Sequence, residues 1–176
     1  KALKSGNPMD QEVIIGPLIN TDQVTRIQKD IEASKKAGAK IILGGNAQDA
    51  LLEVTILDHV TDDMPIAENE IFGPVAPIIR FKTEEEALRI ANSKDFGLSG
   101  ALHTKDIEKG TAFARSVETG MIHINDQTVN DEANAPFGGE KGSGLGRFNG
   151  DFVLEEFTRL QWVTVQHERR DYAPFA

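Results

Sequence analysis

Residues 75–125 read VAPIIRFKTEEEALRIANSKDFGLSGALHTKDIEKGTAFARSVETGMIHIN. The texture alternates every ten residues or so, and that alternation decides the fold class. An apolar run at residues 75–81 reads as a buried strand. Thr83 and Glu86 then supply a Thr-x-x-Glu capping box that opens a helix through Asn92. Residues 97–103, rich in small side chains, read as a second strand. Residues 104–117 place Ile107, Thr111, Ala114 and Val117 on one helical stripe. Gly120 ends that helix, and residues 121–125 form a third strand. Strand, helix, strand, helix, strand with short connections predicts an α/β fold built on a mostly parallel twisted sheet with flanking helices and right-handed crossovers.

Upstream, residues 20–37 carry Val24, Ile27, Ile31 and Ser34 at helical spacing. Asn20 or Thr21 caps the start, Lys35 and Lys36 suit the negative end, and Gly38 stops the helix. Residues 39–43 follow as a short strand closed by Gly44 and Gly45. Residues 51–60 are extended, and 64–74 read as a loop punctuated by Pro65, Gly73 and Pro74. Downstream, residues 126–149 are polar and glycine-rich, and a loop of that length usually serves function. A short helix is expected at 151–157. A strand is expected from Arg159 to Gln166, with Leu160 and Trp162 on one face and Val163 and Val165 on the other. A terminal strand apolar on both faces predicts a pairing element, within a longer parent or between subunits. The chain thus divides into a main portion at 1–150 and a C-terminal helix and strand at 151–176.

Composition removes several function classes. The 176 residues carry a net charge of −9, against the clustered cations a nucleic-acid surface needs. The one basic pair, Arg169-Arg170, lies between Glu168 and Asp171. No apolar run approaches the roughly 20 residues of a membrane helix, and residues 1–10 lack the apolar core of a signal peptide. No nucleic acid, no membrane and a cytoplasmic location are expected. Cysteine is absent, which excludes disulfides and thiol nucleophiles within this chain. His59, His103, His123 and His167 show no metal-ligand spacing.

Two segments could carry chemistry. The glycine-rich run from Gly138 to Gly146 meets neither the G-x-G-x-x-G nor the Walker spacing, and Ser143 does not sit in G-x-S-x-G. It reads as a tight structural loop. In Glu68-Asn69-Glu70-Ile71-Phe72-Gly73-Pro74, an acid and a phenylalanine are fixed by a Gly-Pro turn before a strand. Such a carboxylate can accept hydrogen bonds from both hydroxyls of a ribose, and the aromatic edge can press on a flat ring. A solvated glutamate and a core phenylalanine fit the same residues.

Four segments in order then carry a resemblance. They are Gly16-Pro17-Leu18-Ile19-Asn20, Glu70-Ile71-Phe72-Gly73-Pro74-Val75, Pro136-Phe137-Gly138-Gly139 with Lys141, Ser143-Gly144 and Gly146-Arg147, and Glu156-Phe157-Thr158 with Trp162. With them the sequence resembles the aldehyde dehydrogenase superfamily over nearly its whole length. The resemblance implies a C-terminal portion, with the nucleophilic cysteine, the general-base glutamate and most of the coenzyme domain preceding residue 1. It implies NAD or NADP as coenzyme in the parent enzyme, with Glu70 on the nicotinamide-ribose hydroxyls and Phe72 on the nicotinamide. It implies that the stretch containing Thr128, Val129, Asn130 and Asp131 lines the substrate tunnel, with Phe137 at its inner end. No catalytic residue and no metal ligand is expected in this chain.

One departure narrows the resemblance. Many members carry Glu after Gly-Arg, whereas here Phe148 follows Gly146-Arg147. With Ile124-Asn125, Thr128-Val129 and Asp131-Glu132 this looks like the benzaldehyde, vanillin and salicylaldehyde dehydrogenase branch. The expected activity is oxidation of a small, aromatic aldehyde to the carboxylic acid by the parent, and none by the chain alone. A homo-oligomer through residues 159–166 is expected too. The alternative is a non-catalytic oligomerisation or interaction module.

Overall fold

The first helix forms where its apolar stripe predicts. In the computed structural model, which describes residues 3–170, α1 spans Thr21–Lys36. The Asn20 side chain accepts a hydrogen bond from the Gln23 amide, satisfying one orphan donor of the first turn. Its buried residues are Val24, Ile27, Ile31 and Ser34, the four of the predicted stripe. Ser34 is polar, and its buried hydroxyl accepts from the Ile66 amide at 3.2 Å.

Strands follow as β1 (Lys40–Leu43), β2 (Ala47–Gln48), β3 (Leu51–Leu52) and β4 (Thr55–Val60). The expected loop at 64–74 holds one helical turn, α2 (Pro65–Glu68), because Pro65 fills the first helical position, where a missing N–H costs nothing. Then come β5 (Val75–Ile79) and α3 (Glu84–Asn92). Thr83 caps α3 by accepting from the Glu86 amide, while the Glu86 carboxylate reaches the Lys82 amide rather than that of Thr83. The remaining elements are β6 (Phe96–Gly97), β7 (Ser99–Leu102), α4 (Ile107–Ala114), β8 (Met121–Ile124), β9 (Glu140–Lys141) and α5 (Phe152–Phe157).

The α/β class holds. Its two parallel ladders, β4 with β5 and β7 with β8, each join strands across a helix. The single sheet expected across residues 75–125 is corrected: β5 pairs with β4, and β7 pairs with β8. The chain divides into two compact units at residues 94 and 95.

In the first unit β1, β4 and β5 form one sheet, with β1 antiparallel to β4. Ile27, Ile31, Leu52, Leu57, Val60, Met64 and Ile66 form its core, each such side chain worth about 1.5–3 kcal/mol when fully buried. β5 is half-buried rather than buried, since its side chains alternate: Val75 and Ile79 pack against the core while Ala76 and Ile78 fall on the exposed face. Beside it, Arg80 grips the Asp58 carboxylate with two nitrogens, at 3.0 and 2.5 Å. That guanidinium, with help from the His59 amide, lowers the Asp58 pKa to about 2. Arg89 likewise holds Asp62 below the usual carboxylate range.

In the second unit α4 is shorter than the sequence suggests. Thr104 is tied to the Asn125 side chain, and Asp106 caps the helix by accepting from the Lys109 amide. Its buried face is made of Gly110 and Ala114, while Ile107, expected on the inward stripe, is exposed. The predicted strand at 159–166 is not found. Those residues form no ladder among the described residues, and Leu160, Trp162, Val163 and Val165 stand in solvent. The pattern supplies strand propensity, but a strand exists only beside another. Of the 151–176 segment, residues 171–176 lie outside the described residues.

Candidate functional site

The first set of candidate residues sits on the loop between α2 and β5. Glu70 and Phe72 are both exposed, so the reading of Phe72 as a core residue fails. Phe72 is 72% exposed and has φ +47. A bulky residue in the left-handed region costs of order 1–3 kcal/mol and persists only where its surroundings impose it. Gly73 follows at a close approach: a Cβ there would lie 2.6 Å from Ile27 Cδ1, so a larger residue requires that buried side chain to shift.

The constraint comes from α1. Arg26 Nη2 donates to the Glu70 carbonyl at 3.0 Å and to the Ile71 carbonyl at 2.6 Å. Gln23 Nε2 donates to the same Ile71 carbonyl at 2.9 Å. Asp30 accepts from Arg26 Nη1 and from Asn69 Nδ2, each at 3.3 Å. All three helix residues escaped the sequence reading. Their spacing of three and four positions looks like an ordinary solvated face, and their loop partners lie 39 to 48 residues away. The backbone of the loop is thereby fixed, while the Glu70 carboxylate makes no hydrogen bond or ion pair among the described residues. A carboxylate with all its acceptor sites open, two residues from an exposed ring, fits a vicinal diol next to a flat heterocycle.

The second set lies on the loop after β8. A hollow of about 210 Å³ is lined by Met121 and His123 of β8 and by Asn130, Asp131, Glu132, Ala135, Pro136 and Phe137 of the loop. Asn130, Asp131 and Phe137 therefore share it. Thr128 and Val129 do not line it: the Thr128 carbonyl accepts from Ser99 Oγ at 2.7 Å, and Val129 is exposed. Two polar members are already engaged. Asn130 Nδ2 donates to Asp126, and the Asp131 carboxylate accepts from Asn149 Nδ2. His123 escaped the sequence reading as a lining residue. Alternation along a strand, which puts it on the face of Met121, is the signal that points there. Its buried Nε2 has no hydrogen-bond partner among the described residues.

Phe137 is placed by the glycine loop. It exchanges backbone hydrogen bonds with Phe148, at 2.9 and 2.7 Å. Arg147 Nη1 donates to the Gly139 and Gly146 carbonyls, at 3.0 and 2.9 Å, while Nη2 pairs with Glu140. The Arg147 amide donates to the Glu156 carboxylate. A Cβ on Gly120 would fall 1.7 Å from the Gly138 carbonyl oxygen, so backbone meets backbone there. These glycines serve close approach rather than chemistry, in keeping with their sequence spacing.

Among the described residues no helix is long and apolar enough to cross a membrane, and no group of three or more His, Cys, Asp or Glu could hold a metal ion.

Against known proteins, the model of the aldehyde dehydrogenase family matches residues 1–163. A benzaldehyde dehydrogenase of Bacillus subtilis is 52% identical over 98% of this chain and 36% of its own length. The crystal structure of a salicylaldehyde dehydrogenase from Pseudomonas putida G7, complexed with salicylaldehyde, is 42% identical and superposes with a TM-score of 0.92 over 97% of this chain and 36% of that one. An aldehyde dehydrogenase of Mycobacterium tuberculosis complexed with NAD+ is 39% identical, with a TM-score of 0.84 over 90% of this chain and 33% of that one. The chain spans about a third of the length of the relatives it matches.

Proposed function

Because the chain belongs to the aldehyde dehydrogenase family, we propose that it is the part of an NAD(P)-dependent aldehyde dehydrogenase that presents one edge of the coenzyme and one wall of the aldehyde site. The observation that carries this reading is the loop at 69–73, which holds a carboxylate unpartnered among the described residues and a strained, exposed phenylalanine ring on a fixed backbone.

NAD or NADP, when bound, supplies the hydride acceptor. Glu70 accepts hydrogen bonds from the two ribose hydroxyls, an interaction with a charged acceptor that is stronger than a neutral one. Phe72 lays its ring against the nicotinamide and limits its tilt. In the second unit, Phe137, Met121 and Pro136 give the aldehyde a largely apolar wall. A flat, small aldehyde suits that wall, and the similarity to benzaldehyde and salicylaldehyde dehydrogenases supports an aromatic one. Thr128, Val129, Asn130 and Asp131 belong to the same loop and shape its rim. The chain has no cysteine, so the thiol step of such an oxidation falls to residues outside it, and the 176 residues alone turn over no aldehyde. A cytoplasmic location goes with this reading.

The test is kinetic. In the full-length protein, Glu70→Gln is expected to raise the coenzyme KM about tenfold or more, the loss of a charged hydrogen bond at about 1.5–3 kcal/mol. The aldehyde KM should stay near its starting value. An unchanged coenzyme KM overturns the assignment. Benzaldehyde should be preferred over acetaldehyde in kcat/KM, and the reverse order removes the aromatic preference.

The exposed apolar tail at 159–166 favours a second role beside the first. A segment with Leu160, Trp162, Val163 and Val165 in solvent is suited to completing a sheet edge in another copy. A homo-oligomer through these residues is expected by sedimentation, and removal of 159–176 should yield monomers.

A further inference from the structure

We propose that Arg26 is a positioning residue for the coenzyme, acting through the Glu70 and Ile71 carbonyls to hold the Glu70 carboxylate and the Phe72 ring in their presented conformation. The proposal rests on the reading of Glu70 and Phe72 given above, and it assigns to a helix residue the rigidity on which that reading depends.

Every nitrogen of the Arg26 side chain has a job. Nε donates to Gln23 Oε1 at 3.1 Å, Nη1 to Asp30 at 3.3 Å, and Nη2 to two successive carbonyls at 3.0 and 2.6 Å. Carbonyls of neighbouring residues normally point apart along an extended chain. Here both are drawn onto one nitrogen, and the next residue, Phe72, takes the left-handed conformation just before the bend at Gly73 and Pro74. The Phe72 ring and the Glu70 carboxylate gain nothing from the protein in return, since both are exposed and the carboxylate is unpartnered among the described residues. The conformation is therefore imposed from the backbone side. Gln23 adds one neutral donor to the Ile71 carbonyl, and Asp30 fixes the guanidinium while also holding Asn69.

A lysine cannot substitute. Its single ammonium lacks the planar fork that reaches Gln23, Asp30 and the two carbonyls together. A merely stabilising arginine would depend on charge and packing, which lysine largely keeps. A positioning arginine depends on the fork.

The experiment uses the full-length protein with 4-fluorophenylalanine at position 72, as wild type and as Arg26→Lys, Arg26→Ala and Gln23→Ala. Fluorine NMR without coenzyme reads the loop directly, and steady-state kinetics read its consequence. The expected result is one sharp line in the wild type and a broadened or split line in both Arg26 variants. The coenzyme KM should rise about tenfold or more in those variants, as misplacement of positioned groups does, with the aldehyde KM within twofold. Gln23→Ala, which removes one donor of three, should give a smaller shift in the same direction, and it serves as the readout should either Arg26 variant fail to fold. Millimolar guanidinium should partly restore Arg26→Ala. An unperturbed line with an unchanged coenzyme KM in folded variants overturns the proposal. So does full recovery by lysine. A disturbed line with an unchanged coenzyme KM leaves Arg26 as the anchor of the loop but overturns the coenzyme reading of Glu70 and Phe72, and the two failures are thereby told apart.

Discussion

The loop at 69–73 is gripped by side chains of α1 that reach its carbonyls, whereas the end of the loop behind Phe137 is also packed backbone against backbone, where Gly120 meets Gly138. In the first, the contacts run through the side chains of Arg26, Gln23 and Asp30, which carry unequal shares: Arg26 reaches two carbonyls and Gln23 one. In the second, Gly120 and Gly138 touch with no side chain between them, and nothing there can yield. A presented charge and ring need adjustable support; a wall needs density.

That contrast can be broken most sharply at Gly120. Gly120→Ala is expected to destabilise the second unit by about 3 kcal/mol or more, at the upper end of overpacking costs because the obstacle is a carbonyl. A urea titration with probes in each unit should show the loss in residues 95–170 and spare the first unit. A mild, evenly shared loss breaks the contrast.

Next comes Arg147→Ala. It leaves the Gly139 and Gly146 carbonyls without this donor and Glu140 without its partner, for an expected loss of about 1.5–3 kcal/mol. The aldehyde KM should change with it, since Phe137 follows the glycine loop. Asn20→Ala should cost about 1 kcal/mol, the usual worth of a helix cap. Because α1 carries the grip, its fraying should broaden a fluorine signal at Phe72 while the second unit keeps its stability.

The smallest effect is acid-specific. Asp58 and Asp62 both titrate low and both belong to the first unit. A carboxyl whose folded pKa lies below its unfolded value of roughly 3.9 adds stability above that value and loses it as the pH falls through the folded pKa. For Asp58 the window runs from near 4 down to about 2. The first unit should weaken in that range, and Asp58→Asn should flatten the dependence. An unaltered acid profile in Asp58→Asn removes the Arg80 pair as its cause.

Local pattern carried much of the fold. The stripe Val24, Ile27, Ile31, Ser34 named the buried face of α1, and Thr83 and Asp151 mark helix starts as written. What the pattern could not carry was pairing. The run at 75–79 looks the same whether its neighbour is β4 or β7, because the ladder partner is chosen by distant residues. The tail at 159–166 shows the same limit, having strand-forming residues and no strand to join among the described residues. Glu70 and Phe72 stood out through a Gly-Pro turn that any reader can see. Arg26 did not, since an arginine on a helix face is ordinary until its partners are known. Gly120 and Gly138, eighteen positions apart, reveal their contact only in three dimensions.

The tail also carries the sequence's one tryptophan, Trp162, 91% exposed. An indole in water emits at the red end of its range and shifts blue when apolar neighbours replace the solvent. If the tail docks on a second copy as proposed, Trp162 is its optical reporter: emission followed against concentration traces that docking with no label attached.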